Sequence, residues 1–293
     1  MANFILSAFA DEASESLEGQ IEALLENGIY QIEPRNIDGR GILNFSEEEL
    51  EAIREKLSAN GIGVYSLGSP IGKYPIDKPF DEHIDAFAKA LRACQILGAN
   101  NMRMFSFFVS QDELETYRET VLSRMSTLLS LAKCAGVRLC HENESRIYGQ
   151  MPREVNDLVE NLPDLYMIFD AANYRMNDGD IDEGIKATLK RLGYLHIKDA
   201  IFASQTIVPA GEGEGKIEEV LRAVDEATDE TVTLTLEPHL FSFIAYKSID
   251  EHELKGIYSF NNGKEAFAFA ATALKNMLTK LGYHEGDDHI WTK

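Results

Sequence analysis

Four short stretches of the chain each run from apolar residues into a carboxylate or an imidazole. They are VRLCHE, LYMIFD, YLHIKD and TVTLTLE, and the side chains that stand out are Glu142, Asp170, His196 and Glu237. Three carboxylates and one imidazole offer three oxygens and one nitrogen, a set that suits a divalent cation accepting hard ligands. We therefore expect one divalent metal ion as cofactor, with Mn²⁺ preferred, Mg²⁺ or Co²⁺ as alternatives and Zn²⁺ as a less comfortable fit.

These stretches belong to a regular succession of strands and helices. Strands are predicted at residues 4–9, 29–33, 62–67, 101–108, 137–142, 165–170, 194–199 and 231–237. A helical pattern follows each of them, and Ser46 with Glu49 forms a capping box at the start of the second helix. Eight such units without a polar linker predict a closed α/β barrel, a (β/α)₈ TIM barrel, as a single domain over residues 1–293.

The order of the strands bears directly on the chemistry. In a (β/α)₈ barrel the carboxyl ends of all strands face one side, so residues that end four consecutive strands converge on one point. An open doubly wound sheet is the alternative fold, but such a sheet gathers its ligands at the one crevice where the strand order reverses. For any one of the four residues, a carboxylate or His satisfied by a helix N-terminus or a lysine is the competing interpretation. Their joint position favours a metal site.

Composition limits the classes of partner. The net charge is −21, which disfavours nucleic acid and anionic membranes. The three cysteines lack a CxxC spacing, the N-terminal FILSAFA does not resemble a signal peptide, and no apolar run approaches the roughly 20 residues of a membrane span. We expect a cytoplasmic protein with a small-molecule partner, and the sequence is compatible with a homo-oligomer.

Several motifs together carry a family resemblance. The segments ENES, DAANY, HIKDA, VPAGEGEG and LEPHL make the chain similar to the xylose isomerase-like TIM-barrel family of sugar phosphate isomerases and epimerases, within the AP endonuclease family 2 superfamily. The resemblance implies that Glu142, Asp170, His196 and Glu237 bind one divalent metal. It also implies that Glu142 and Glu237 are the catalytic acid and base, and that the substrate is a small carbohydrate.

The expected reaction is proton abstraction next to a carbonyl. A ketose held at the metal would lose its α-proton to one glutamate, pass through an ene-diolate and regain a proton from the other glutamate. This predicts a metal-dependent sugar or sugar-phosphate isomerase or epimerase. A lyase that dehydrates an inosose-like polyol ketone is the alternative. A nuclease like endonuclease IV would require further His ligands and a basic groove, neither of which is obvious in the sequence.

Five further residues are predicted to contact the substrate: Asn173, Lys198, Glu33, Arg103 and His239. Asn173 stands where the resemblance implies a substrate-binding His, and a neutral amide cannot act as a general acid. We expect Lys198 to begin on the opposite face of the strand from His196, where it contacts either the substrate or an acid such as Asp199. For Glu33, a role behind the metal ligands or in a buried salt bridge is the alternative.

Two other polar segments have plainer interpretations. GEGEGK (211–216) lacks the spacing of a phosphate loop and is predicted to be a flexible lid or turn. The segment HEGDDHIWTK at the end of the chain contains two His and several acids, but we predict a solvated chain end rather than a metal tract.

Overall fold

Eight parallel strands form the centre of the molecule. The computed structural model describes residues 1–241 and 257–293. Its barrel strands are β1 (Asn3–Ala8), β2 (Gln31–Ile32), β3 (Gly63–Val64 with Ser66–Leu67), β4 (Asn101–Met104), β5 (Arg138–Glu142), β6 (Tyr166–Asp170), β7 (Leu192–Ile197) and β8 (Thr231–Leu236).

The strand order closes on itself. Parallel ladders join β3 to β4 and continue strand by strand through β8 to β1. The first half of β3 pairs with β2, and the N–H of Glu33 donates to the carbonyl of Ala8 at 3.0 Å, which brings β2 against β1. The predicted (β/α)₈ TIM barrel is confirmed.

Helices alternate with the strands along the chain and pack around them. They are α1 (Leu17–Glu26), α2 (Glu47–Ala59), α3 (Phe80–Leu97), α4 (Leu114–Ala135), α5 (Pro152–Asn161), α6 (Ile181–Thr188), α7 (Ile217–Ala227) and α8 (Gly263–Lys280). The capping box of Ser46 and Glu49 is present, and Gly136 ends α4 with a left-handed φ of 73°. No helix within the described ranges is both long enough and apolar enough to cross a membrane.

Some element boundaries differ from the predictions. The fourth strand ends at Met104 rather than Phe108. The backbone N–H of Phe105 donates a hydrogen bond to the carbonyl of Ile71 instead of to a neighbouring strand, and Phe107 adopts a φ of +70°. A short helix, Ala171–Met176, follows β6 directly and was not predicted. Both differences lie on the side of the barrel where the strands end, where the chain leaves the regular ladder.

The end of the chain is mostly exposed, as predicted, but it is folded rather than a free chain end. His284–Glu285 and Ile290–Thr292 form an antiparallel hairpin, and its second strand pairs with the first half of β1, with Phe4 opposite Trp291. Only 5% of Trp291 is exposed. Because β2 is two residues long, the early part of β1 lacks a strand partner on that side, and the hairpin supplies it.

Candidate metal centre

The four strand-end residues meet inside the barrel. Glu142 ends β5 and Asp170 ends β6, His196 lies near the end of β7, and Glu237 follows β8 directly. Each of them offers one ligand atom, and these atoms all lie within 4.8 Å of one another. All four side chains are buried, the most exposed being Glu237 at 3%. The convergence expected from the strand order is therefore present in the structure.

The atoms that face this point suit a cation. Nδ1 of His196 lies 3.1 Å from Oε1 of Glu142 and 3.4 Å from Oε2 of Glu237. Within the described part of the chain, His196 Nδ1 and Glu237 Oε2 are buried and form no hydrogen bond, and the buried Asp170 Oδ2 has only the ammonium group of Lys198 beside it, at 2.9 Å. Buried polar atoms are rarely left unsatisfied, and a divalent ion would engage all three together with Glu142. The residues present therefore fit a metal.

Each glutamate uses its second oxygen to hold an arginine. Arg103 Nη1 donates to Glu142 Oε2 at 3.2 Å, and Arg35 Nη1 donates to Glu237 Oε1 at 3.0 Å. The Phe9 ring lies 4.3 Å from the Arg35 guanidinium carbon and 4.9 Å from that of Arg103. Arg103 therefore orients Glu142, and its direct contact with the substrate stays a prediction.

Glu33 lies behind His196. Its Oε2 is 3.3 Å from Nε2 of His196, and its Oε1 accepts a hydrogen bond from the Tyr194 hydroxyl at 2.7 Å. The side chain is completely buried. A carboxylate on the far nitrogen of a ligand imidazole fixes the orientation and tautomer of the ring. This position agrees with the alternative role behind the metal ligands, and a direct contact of Glu33 with the substrate stays a prediction.

Lys198 faces the centre, on the same side of the strand as His196. The opposite-face expectation is wrong, because residues two apart on a strand project to one side. Its ammonium group lies 2.9 Å from Asp170 Oδ2 and 3.5 Å from Glu237 Oε2. A salt bridge to Asp199 is not its arrangement here. Lys198 thus brings a positive charge to the edge of the carboxylate cluster.

Asn173 borders the centre from the short helix after β6. Its backbone N–H donates to Asp170 Oδ1 at 2.8 Å, which caps that helix. Its side-chain Nδ2 donates to Glu142 Oε1 at 3.2 Å and to the carbonyl of Asn143 at 2.9 Å. The side chain of Asn143 exchanges two hydrogen bonds with the backbone of Asp170, both at 2.9 Å. These amides hold the ends of β5 and β6 in register.

Three charged residues of the site were not predicted. Asp11 and Glu12 follow β1, and Arg35 follows β2; Arg35 pairs with both acids as well as with Glu237. His239, a predicted substrate contact, lies beside them with Nε2 at 3.4 Å from Glu12 Oε1 and from Glu237 Oε1. The signal that located Glu142 and Asp170, an apolar strand ending on a charge, is also present in FILSAFADE and IYQIEPR.

Burial raises the pKa of the carboxyl groups in the site, and neighbouring positive charges lower it. Burial raises the pKa of Asp170 to about 7 despite the nearby Lys198, and burial raises that of Glu12 to about 8 despite Arg35. Burial also raises the pKa of Glu142, but His196 and Arg103 outweigh it and lower the pKa to about 2. In the absence of a metal, part of the cluster therefore holds protons at neutral pH, and a bound cation would release them.

The glycine-rich segment after β7 encloses a carboxylate of the chain itself. The N–H groups of Gly211 and Gly213 donate to Asp199 Oδ2 at 2.9 and 3.0 Å, and that of Gly215 donates to Oδ1 at 2.8 Å. The N–H of Ala200 also donates to Oδ1. Successive backbone N–H groups form anion-binding concavities, and Asp199 fills this one. The segment is thus a turn tied to the end of β7, which agrees with the predicted turn rather than the flexible lid and with the exclusion of a phosphate loop.

The chain resembles known proteins both in its sequence family and in its fold. The model of the family described as xylose isomerase-like TIM barrel matches residues 21–254. No curated protein matches the sequence. Among solved structures, the IOLI protein with a binding zinc atom superposes with a TM-score of 0.74 at 17% identity, covering 94% of this chain and 98% of that one.

Two further structures have the same architecture. D-psicose 3-epimerase in the presence of D-fructose gives a TM-score of 0.69 at 18% identity, covering 95% of this chain and 99% of that one. The probable 3-DHS dehydratase AsbF from Bacillus anthracis gives 0.69 at 14% identity, covering 94% and 99%. The chain spans 43% of the length of a xylose isomerase-like TIM barrel/4-hydroxyphenylpyruvate dioxygenase fusion protein. At these identities the likeness concerns the fold.

Proposed function

Because this chain belongs to the xylose isomerase-like TIM barrel family, we propose that it is a metal-dependent isomerase or epimerase of a sugar or sugar phosphate. The observation that carries the proposal is the approach of Glu142 and Glu237 to the same imidazole nitrogen, at 3.1 and 3.4 Å from His196 Nδ1. Two carboxylates that border one point can take a proton from a substrate held there and return one to it.

The metal would be held by Glu142, Asp170, His196 and Glu237. When bound, it would polarise the substrate carbonyl and make the neighbouring C–H more acidic. Mn²⁺ is our first expectation because three of the four ligand groups are carboxylates, with Mg²⁺, Co²⁺ and Zn²⁺ as alternatives. The solved structure of the IOLI protein contains zinc, which supports a metal at this fold.

The protein residues would divide the proton transfer between them. One of Glu142 and Glu237 removes the α-proton to form an ene-diolate, and the other returns a proton to the same carbon in an epimerase or to the neighbouring carbon in an isomerase. Such positioned transfer contributes about 10² to 10⁴ in rate. Lys198, 3.5 Å from Glu237 Oε2, would stabilise negative charge developing on a substrate oxygen.

The proposed substrate is a small carbohydrate. A solved D-psicose 3-epimerase of the same fold was determined in the presence of D-fructose, which supports this class of substrate. Asn173 donates to Glu142 Oε1 at 3.2 Å, so the position carries a neutral hydrogen-bond donor where the resemblance implies that ketose epimerases have a His. We therefore expect the sugar preference of this protein to differ from theirs at the hydroxyl next to Asn173.

We also propose a cellular compartment for the protein and the absence of a nucleic acid partner. The structure contains three free cysteines, Cys94, Cys134 and Cys140, and the chain has a net charge of −21. Free thiols support a reducing compartment such as the cytoplasm, and the acidic charge supports the absence of a nucleic acid partner.

The decisive experiment is a screen in D₂O. Ketoses, their phosphates and inososes are incubated with the Mn²⁺-loaded protein, and deuterium incorporation into the recovered sugar is measured by NMR and mass spectrometry. Incorporation at a carbon next to the carbonyl is expected for at least one substrate, because proton abstraction is common to isomerisation and epimerisation. A product lighter by one water would favour the dehydratase alternative. Absence of incorporation across all three classes would contradict the proposal.

Matched variants locate the proton transfer. Glu142→Gln and Glu237→Gln are each expected to lower the exchange rate by about 10² or more, because an amide cannot accept the proton. Glu144→Gln is the control, since Glu144 lies in the next loop paired with Lys73 at 2.9 Å and outside the carboxylate cluster. Full exchange in either cluster variant would remove that glutamate from the acid/base pair.

A further inference from the structure

A second group of possible metal ligands lies beside the first. Glu12, Glu237 and His239 each offer one ligand atom, all three are buried, and the atoms lie within 4.8 Å of one another. Glu237 belongs to both groups, so two cations bound here would share a carboxylate. Two-metal sites of this kind are common in hydrolytic enzymes. The number of metal ions that the protein binds therefore bears on the type of reaction it can catalyse.

A guanidinium already lies on the oxygens of this second group. Arg35 Nη1 is 3.0 Å from Glu237 Oε1, and Arg35 Nη2 is 3.3 Å from Glu12 Oε1. These are the same two oxygens that lie 3.4 Å from the Nε2 atom of His239. The guanidinium keeps its charge at any pH at which the protein is folded. A metal would have to displace it to reach these oxygens.

Arg35 is held firmly in this position. Nε and Nη2 donate to the two oxygens of Asp11, both at 3.0 Å, which is a bidentate pair. The Phe9 ring lies 4.3 Å from its guanidinium carbon, and the residue is 6% exposed. Its planar fork is thus held along one edge by Asp11 and on its face by the Phe9 ring.

The two carboxylate oxygens of Glu237 have differently charged neighbours. Asp11, Glu12 and one oxygen of Glu237 surround Arg35. The other oxygen of Glu237 faces His196 and Lys198 at 3.4 and 3.5 Å. Arg35 therefore neutralises one side of Glu237 and leaves the other side for the metal.

We propose that Arg35 is a positioning residue that takes the place of a second metal ion, so that the centre binds one ion and Glu237 offers it a single oxygen. This inference rests on the proposed metal-dependent function. It also explains in physical terms why a chain with two adjacent ligand groups would act through one metal ion rather than through several.

The test is the metal stoichiometry of purified variants. Protein is loaded with Co²⁺ or Zn²⁺, freed of excess ion by gel filtration, and analysed by elemental analysis and by Co²⁺ absorption spectroscopy. Wild type is expected to retain one equivalent and Arg35→Gln two, with new Co²⁺ bands from the second site. Arg35→Gln combined with His239→Ala is expected to return to one equivalent, because the second group then lacks its imidazole.

Arg103→Gln is the matched control. Arg103 also donates to one of the two glutamates, at 3.2 Å from Glu142 Oε2, but it lies on no second ligand group among the described residues. Its variant is expected to bind one equivalent, with weaker affinity. A second equivalent in Arg103→Gln would show that any lost arginine opens a site and would contradict the special role of Arg35.

Other outcomes are equally decisive. Two equivalents in wild type, or one in a folded Arg35→Gln variant, would overturn the inference while leaving the proposed function intact. If Arg35→Gln does not fold, the metal stoichiometry of Arg35→Lys is measured instead. The lysine keeps the positive charge, so this variant should still bind one equivalent. Two equivalents would contradict the inference. No bound metal in wild type would instead contradict the proposed function, which separates the two failures.

Discussion

Each ligand residue of the candidate centre has two polar ends with different tasks. One end faces the common point, and the other is held by a protein group. The pairs are Glu142 with Arg103, Glu237 with Arg35, His196 with Glu33, and Asp170 with the backbone N–H of Asn173. Fixing the outer end of a ligand sets the orientation of the inner end before any ion arrives, which strengthens metal binding.

Glu33 gives a direct test of this arrangement. Glu33→Gln is expected to weaken Mn²⁺ or Zn²⁺ binding by about 10- to 100-fold, because His196 loses the carboxylate that orients its ring and raises its basicity. Isothermal titration calorimetry measures the dissociation constant. Tyr194→Phe is the control, since it removes the hydroxyl that donates to Glu33 at 2.7 Å but leaves the carboxylate in place. An unchanged dissociation constant in Glu33→Gln would argue against the orienting role.

At the scale of elements, the loops beyond the strand ends are tied down by buried groups. Asp199, just past β7, accepts four backbone hydrogen bonds, three of them from Gly211, Gly213 and Gly215. Burial raises its pKa while these hydrogen bonds oppose the shift. A Cβ at Gly213 would lie 2.2 Å from Asp199 Oδ1, so the loop can approach the carboxylate only with glycine there.

Removal of this carboxylate should destabilise the protein. Asp199→Ala is expected to lower the free energy of unfolding by about 3 kcal/mol, because buried N–H groups lose a charged acceptor. Urea denaturation followed by circular dichroism measures the change. Asp180→Ala is the comparison, since Asp180 accepts one N–H at the exposed start of α6. This variant should lower the free energy of unfolding by clearly less than Asp199→Ala does. Equal losses in the two variants would mean that the loop does not depend on Asp199.

His83 links α3 to the loop after β3 and predicts a pH dependence. It is 5% exposed and accepts the N–H of Gly72 at 3.1 Å, and burial followed by the charge of Arg124 lowers its pKa from 6.5 to about 4. The unfolded chain therefore takes up the proton first as the pH falls. The stability from neutral His83 is complete above about pH 6.5 and is lost between pH 6.5 and 4.

The corresponding measurement compares two pH values. Between pH 7.5 and 5, wild type should lose about 2 kcal/mol more of its unfolding free energy than His83→Gln, at about 1.4 kcal/mol per pH unit below the unfolded pKa. The glutamine can still accept the N–H of Gly72, so the variant should fold. Parallel pH profiles from urea denaturation of the two proteins would rule out His83 as a source of the dependence.

At the scale of the whole molecule, closure of the barrel depends on the end of the chain. The hairpin of His284–Glu285 and Ile290–Thr292 pairs with β1 beside the two-residue strand β2. Its Trp291 joins the main apolar core, and Tyr283 just before it contacts Phe4 at 4.9 Å between ring centroids. The last residues of the chain thus complete the wall that its first strand begins.

Trp291 tests this closure. Trp291→Ala is expected to lower the free energy of unfolding by about 3 to 5 kcal/mol, the range for truncating a buried aromatic side chain. The measurement is urea denaturation of both proteins. His284→Ala, an exposed substitution on the other strand of the hairpin, should change stability little. A small effect of Trp291→Ala would mean that the hairpin is not part of the cooperative core.

The sequence by itself determined the order of the eight barrel strands with the helices between them, and it pointed to the four residues of the centre. Apolar periodicity, glycine at helix ends and the capping box at Ser46 are local signals, so they are readable without a structure. The position of Glu142, Asp170, His196 and Glu237 followed from the direction in which barrel strands end. Their convergence required only that the strands close in order.

The tertiary structure alone decided which charge pairs with which. Arg35 and Glu237 are 202 positions apart, and nothing in the local sequence selects Glu237 over the other acidic residues as a partner of Arg35. The same holds for Glu33 behind His196 and for the hairpin against β1. Strand-end residues share a direction, but the partner of a buried charge depends on distances across the barrel, and those are set only when the whole ring of strands has closed.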